Sequence, residues 1–68
     1  MITLHINGQP RQFPAAMILA ELLDRLDLAG KRIAVEKNGE IVPKSQHAAT
    51  PLSDGDRLEI VVLSAVVD

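Results

Sequence analysis

Ile2, Leu4 and Ile6 alternate with Thr3, His5 and Asn7, the period-two pattern of a strand with one buried face. Asn7-Gly8 follows at once. This pair favours a two-residue hairpin turn, because a type I′ turn needs positive φ at both central positions. The return strand, Gln9 to Phe13, contains Pro10, which lacks a ladder donor and so belongs at a sheet edge. The period then changes. Leu19, Leu22, Leu23 and Leu26 recur at helical spacing within Met17 to Leu26, with Glu21, Asp24 and Arg25 on the other side. No Ser, Thr, Asp or Asn stands before the stripe, so packing must define where this helix begins, and Gly30 is the expected stop.

Alternation resumes over Lys31 to Lys37, with Ile33 and Val35 facing inward. Asn38-Gly39 supplies a second hairpin turn, and Glu40-Ile41-Val42 returns from it. Lys44 to Leu52, bracketed by Pro43 and Pro51, reads as a loop or a single helical turn. Asp54-Gly55 turns into the last strand, where Leu58, Ile60 and Val62 are expected to face the core and Glu59, Val61 and Leu63 to face outward. The order is two strands, a helix, two strands, a loop and a final strand. It implies an α+β protein in which a mixed sheet of about five strands packs on one main helix. First and last strands would lie side by side, parallel and central, in the β-grasp or ubiquitin-like arrangement.

Length makes this one domain: 68 residues leave no room for a second core, so 1–68 is read as a single unit with 63–68 as its C-terminal tail. A protein this short buries only about 60% of its unfolded surface, so its stability margin is thin. The hydrophobic share is 47% with Phe13 as the sole aromatic, so stability must come from close packing of branched aliphatic side chains. There is no cysteine, which excludes disulfides, thiolate metal sites and thiol catalysis. The net charge of −2 is scattered, with no basic stripe and no stacking platform for nucleic acid. No apolar run approaches the roughly 20 residues of a membrane span, and no secretion signal opens the sequence, so a cytoplasmic protein is expected.

Candidate chemistry is sparse. His5 falls on the polar face of the first strand, and neither it nor His47 has carboxylates at ligand spacing, so both are assigned surface or hydrogen-bonding roles and no metal site is expected. Asp54 and Asp56 flank one glycine and suit turn chemistry, their side chains satisfying local amides. Ser45 and Ser53 have no base nearby, and the four glycines stand singly at turns rather than in a phosphate cradle. A small aliphatic core leaves no space for a ligand pocket of several hundred cubic ångströms. No catalytic residue is assigned, and an independent enzyme is not expected. The outward residues of the last strand are the better candidates. Glu59, Val61 and Leu63 continue into Ser64, Ala65, Val66 and Val67, forming an apolar stretch suited to docking a partner.

Four segments resemble a known family. Ile6-Asn7-Gly8-Gln9-Pro10-Arg11, Ala20-Glu21-Leu22-Leu23, the block from Ile33 to His47, and Asp54-Gly55-Asp56-Arg57-Leu58-Glu59-Ile60-Val61 are similar to ThiS, the sulfur carrier of bacterial thiamine biosynthesis. The most specific parts are the Ala34–His47 block and the Asp-Gly-Asp-Arg turn. The resemblance covers about residues 2 to 61. It implies a carrier whose terminal carboxylate is adenylated by a ThiF-like enzyme using ATP, converted to a thiocarboxylate, and delivered to a ThiG-like thiazole synthase. No cofactor would be bound by the carrier itself.

The tail departs from that pattern. ThiS tails end in Gly-Gly, a thin and flexible thread, whereas Ser64-Ala65-Val66-Val67-Asp68 closes this sequence and puts Asp68 at the attachment position. Val66 and Val67 are β-branched, hence stiff and broad. Ile18 also stands where the family usually has a helix-capping Thr. The alternative role is a non-covalent binding module that docks on an adenylating enzyme or a thiazole synthase through the same sheet face and tail.

Overall fold

The computed structural model of the protein describes residues 1–63. Strand β1 (Ile2–Ile6) turns at Asn7-Gly8 into β2 (Gln9–Phe13), and helix α1 (Leu19–Arg25) follows. Strand β3 (Ile33–Lys37) turns at Asn38-Gly39 into β4 (Glu40–Ile41). A 3₁₀ helix (Lys44–Ala49) then leads to β5 (Arg57–Val62). The five strands form one sheet in the order β2-β1-β5-β3-β4. β1 and β5 are parallel central neighbours, and the other pairs are antiparallel. Pro10 lies on edge strand β2, where its missing donor costs no ladder bond toward the sheet interior.

Both Asn-Gly turns take the expected geometry, with φ of 53° at Asn7 and Asn38 and 83° and 88° at the glycines that follow. Each asparagine amide also reaches the last strand. Asn7 Oδ1 accepts from the Ile60 amide at 2.7 Å while its Nδ2 donates to the Ile60 carbonyl at 3.1 Å. Asn38 Oδ1 accepts from the Arg57 amide at 3.0 Å, and its Nδ2 donates to Asp56 Oδ1 at 3.1 Å. The turn before β5 is tied in the same way. Asp56 Oδ2 accepts from the Ser53 amide at 2.8 Å, three residues back, so its side chain satisfies a local amide as expected. Asp54 instead reaches across to accept the Thr3 amide at 2.7 Å.

Helix α1 departs from expectation at both ends. It starts at Leu19, with Met17 buried just outside it. The Ile18 side group cannot accept the free amides, so tertiary contacts supply partners: the Leu19 amide donates to the Thr50 carbonyl at 2.8 Å. Glu21 Oε1 folds back to accept the Ile18 amide at 3.1 Å. The helix ends well before Gly30. Asp27 takes φ of 62°, the Leu28 amide donates to the Leu23 carbonyl, and the Asp27 amide donates to the Asp24 carbonyl. This is a Schellman ending with aspartate in the place glycine usually holds, which is why a search for glycine overshoots it. β3 starts at Ile33 rather than Lys31, and β4 stops at Ile41.

The core is a single aliphatic cluster between α1 and one sheet face, built around Leu4, Leu19, Leu22, Val35, Leu52 and Leu58, with Phe13, Met17 and Ile60 at its margin. Val62 shares the alternation phase of Leu58 and Ile60 but is 53% exposed. It pairs with Ile33 at the far end of β3, past the stretch that the seven-residue helix covers. Leu22 is fully buried. Leu22→Ala should therefore lower the unfolding free energy by about 2–5 kcal/mol, read as a lower urea midpoint at unchanged slope.

Candidate functional site: the outer face of the last strand

β5 lies between β1 and β3, so its outward side chains occupy the middle of the sheet face that the helix leaves open. Register places Glu59 opposite Glu36 and Val61 opposite Ala34. On the next strand Ile41 stands opposite Glu36. Val61 is 54% and Ile41 65% exposed, and Glu59 is exposed between Val61 and Arg57 along β5. The face thus carries an apolar patch beside two facing carboxylates. Among the described residues the one ion pair is Lys37–Asp56 at 3.9 Å, and it leaves both glutamates free to meet a partner's cation.

Sequence reasoning singled out Glu59 and Val61 but passed over Ile41, Glu36 and Ala34. The signal for them was present. A two-residue turn at Asn38-Gly39 forces Lys37 opposite Glu40, and hence Glu36 opposite Ile41. Leu63 is 51% exposed and lies just past β5, its amide donating to the Arg32 carbonyl at 2.9 Å. Ser64, Ala65, Val66, Val67 and Asp68 fall outside the described residues.

Leu63 also borders an open groove of about 600 Å³, floored by Leu23, Leu28 and Ile33 and rimmed by Lys31, Arg32 and Lys44. The expectation that so small a domain has no such space is therefore corrected. The segment that follows the early Schellman stop, Leu28 to Arg32, lines the groove on the way to β3. The groove is a surface hollow rather than an enclosed cavity. His47, at its wall, is buried, and its Nε2–H donates to the Val42 carbonyl at 3.1 Å. That settles its hydrogen-bonding role and corrects the alternative of a surface position. His5 is half-buried on β1, and its Nδ1 meets no partner. Among the described residues no three of His, Asp and Glu gather as a metal site. Among them, too, no helix is long and apolar enough to cross a membrane.

Three comparisons bear on this arrangement. The sequence model of the ThiS family matches residues 4–64. A thiazole synthase from Paramagnetospirillum magneticum is 50% identical over 58 residues, which cover 85% of this protein and 18% of that one; the sequence therefore spans less than a fifth of that relative's length. An uncharacterized protein, ycf40, from Pyropia yezoensis is 36% identical over 62 residues, covering 91% of this protein and 87% of that one. Among solved structures, the crystal structure of the thiamine biosynthesis protein ThiS from Geobacter metallireducens superposes with a TM-score of 0.83 at 29% identity, covering 97% of this protein and all of its own length.

The outer face should be dispensable for folding. Val61→Thr and Ile41→Thr are each expected to change the unfolding free energy by no more than about 1 kcal/mol. Both residues are more than half exposed, and Thr keeps the β preference without adding charge beside Glu36 and Glu59. A larger loss in a urea titration would mean that this face supports the fold.

Proposed function

The chain belongs to the ThiS family, and from that premise we propose that it is a sulfur carrier of thiamine biosynthesis, working in the cytoplasm as a substrate protein rather than as an enzyme. Its C-terminal carboxylate would be adenylated by a ThiF-like enzyme. The carboxylate oxygen attacks the α-phosphorus of ATP and pyrophosphate leaves. A carboxylate is a poor electrophile until this step gives it a leaving group. Hydrosulfide from a sulfur donor then adds at the acyl carbon and AMP departs, and the resulting thiocarboxylate carries sulfur to a ThiG-like thiazole synthase.

One observation carries the reading. β5 is locked in the sheet centre on both sides, yet runs outward past the helix, so the residues after it start from a fixed point beside an open docking face. Glu59, Val61 and Leu63 are the described residues we assign to partner contact, with Ser64 to Val67 continuing it and Asp68 at the attachment position. The thiazole synthase relative, in which the matching segment is a minor part of a longer protein, supports a thiazole synthase as one partner.

A second reading rests on residue type: the resembled carriers use a Gly-Gly thread, and residues 64–68 hold no glycine. In it the same face docks on the same enzymes but no acyl transfer follows. Intact mass separates the two. Incubated with ATP, its cognate adenylating enzyme and a sulfur donor, the carrier gains the mass difference between sulfur and oxygen; the binding module forms the complex and keeps its mass. Val61→Asp, with its fold checked by urea titration, is expected to weaken the complex roughly tenfold or more in either reading. Unchanged affinity in that variant would reject the docking face.

A further inference from the structure

The two Asn-Gly turns are alike in backbone geometry but not in how firmly they are held. Asn7 closes the β1–β2 hairpin, which is locked by five paired positions, and its amide bonds the backbone of Ile60 in a part-buried site. Asn38 closes the β3–β4 hairpin, which has two paired positions, and β4 is exposed throughout. The amide of Asn38 makes its two bonds, to the Arg57 amide and to the Asp56 carboxylate, in exposed surroundings. Around Gly39, as around Gly8, a Cβ would meet open space, so crowding at the glycine does not set the two turns apart. The shorter ladder opens more readily, and opening frees the Asn38 carboxamide.

We infer that Asn38 is a site of spontaneous deamidation, and that its conversion loosens β5. In the opened turn the Gly39 amide nitrogen attacks Cγ of Asn38. A new bond forms between that nitrogen and Cγ, and the bond from Cγ to Nδ2 breaks. Nδ2 leaves as ammonia, taking the proton that Gly39 gave up. Water then opens the cyclic imide at either carbonyl, leaving aspartate or isoaspartate at position 38. No oxidant or cofactor takes part.

The product is damaging because of what the amide was doing. One carboxylate oxygen can still accept the Arg57 amide. The other now faces Asp56 Oδ1, where an N–H had donated at 3.1 Å. Two carboxylates would then face each other where Lys37 pairs with Asp56 alone, at 3.9 Å. Asp56 is also the residue that holds the Ser53 amide and shapes the turn into β5. Isoaspartate is worse, since its extra backbone methylene breaks the turn in which the Asn38 amide donates to the Arg57 carbonyl at 2.7 Å. The strand that leads to the tail would thus lose its grip on β3 at its first residue. This chemistry is independent of the carrier reading.

Ageing the purified full-length protein in mildly alkaline buffer, with peptide mapping by mass at intervals, tests the site. Acid at position 38 should accumulate several-fold faster than at position 7. Equal rates, the reverse order, or no acid at 38 would overturn the assignment. Amide hydrogen exchange tests the consequence. Asn38→Asp should melt at a lower temperature and exchange faster across β5, and the double variant Asn38→Asp with Asp56→Asn, which restores an amide–acid bond with the partners exchanged, should recover most of both. No recovery, or no loosening of β5 in the single variant, would reject the like-charge cause.

Discussion

The parallel pairing of β1 with β5 joins the first strand to the last, yet its Cα register holds only His5 with Arg57 and Ile6 with Leu58. Backbone bonds run past those pairs, from the Gly55 amide to the Thr3 carbonyl at 2.8 Å and from the Asn7 amide to the Leu58 carbonyl at 2.9 Å. Side chains add to the ladder at each end. Asp54 takes the Thr3 amide before β5 begins, and Asn7 bonds both backbone groups of Ile60 after β1 has ended. The Asn7 amide thus behaves as one more residue of β1. Everything else depends on this join: it places β5 centrally, which puts Leu58 and Ile60 over the helix and Val61 in the middle of the free face.

Much of this could be read in the sequence, for reasons that differ from element to element. Both hairpins were legible because Asn-Gly satisfies a demand for positive φ that few dipeptides meet. The helix was legible because Leu19, Leu22 and Leu23 share one face, and the burial of all three follows. Its ends were not. Thr50 completes the start from far downstream, and Asp27 completes the stop in a conformation usually left to glycine. Long-range hydrogen bonds leave no local pattern, so element boundaries set by them are invisible in a window of residues.

The surface was legible on one strand at a time. Alternation along β5 pointed to Glu59 and Val61, but a docking face is a property of neighbouring strands. Ile41 and Glu36 join it only once register is known. Glu36 facing Glu59 is a cost to the free domain, because like charges directly opposite repel across a ladder. The groove escaped notice for another reason. It is lined by the segment between α1 and β3, which begins at a boundary that sequence placed badly.

The β1–β5 join also has a consequence for how the protein acquires its structure. During synthesis β1 and β2 can pair as soon as they emerge, since their turn is two residues long. The core face of that hairpin then waits, because its central neighbour is encoded almost at the other end of the sequence. Until Ile60 has been added, Asn7 has no backbone to grip and Leu4 no complete cover. Contacts of such sequence separation make folding slow relative to the protein's size. A truncated product ending anywhere before β5 would therefore expose an open sheet edge along β1, the kind of edge on which unfinished polypeptides aggregate.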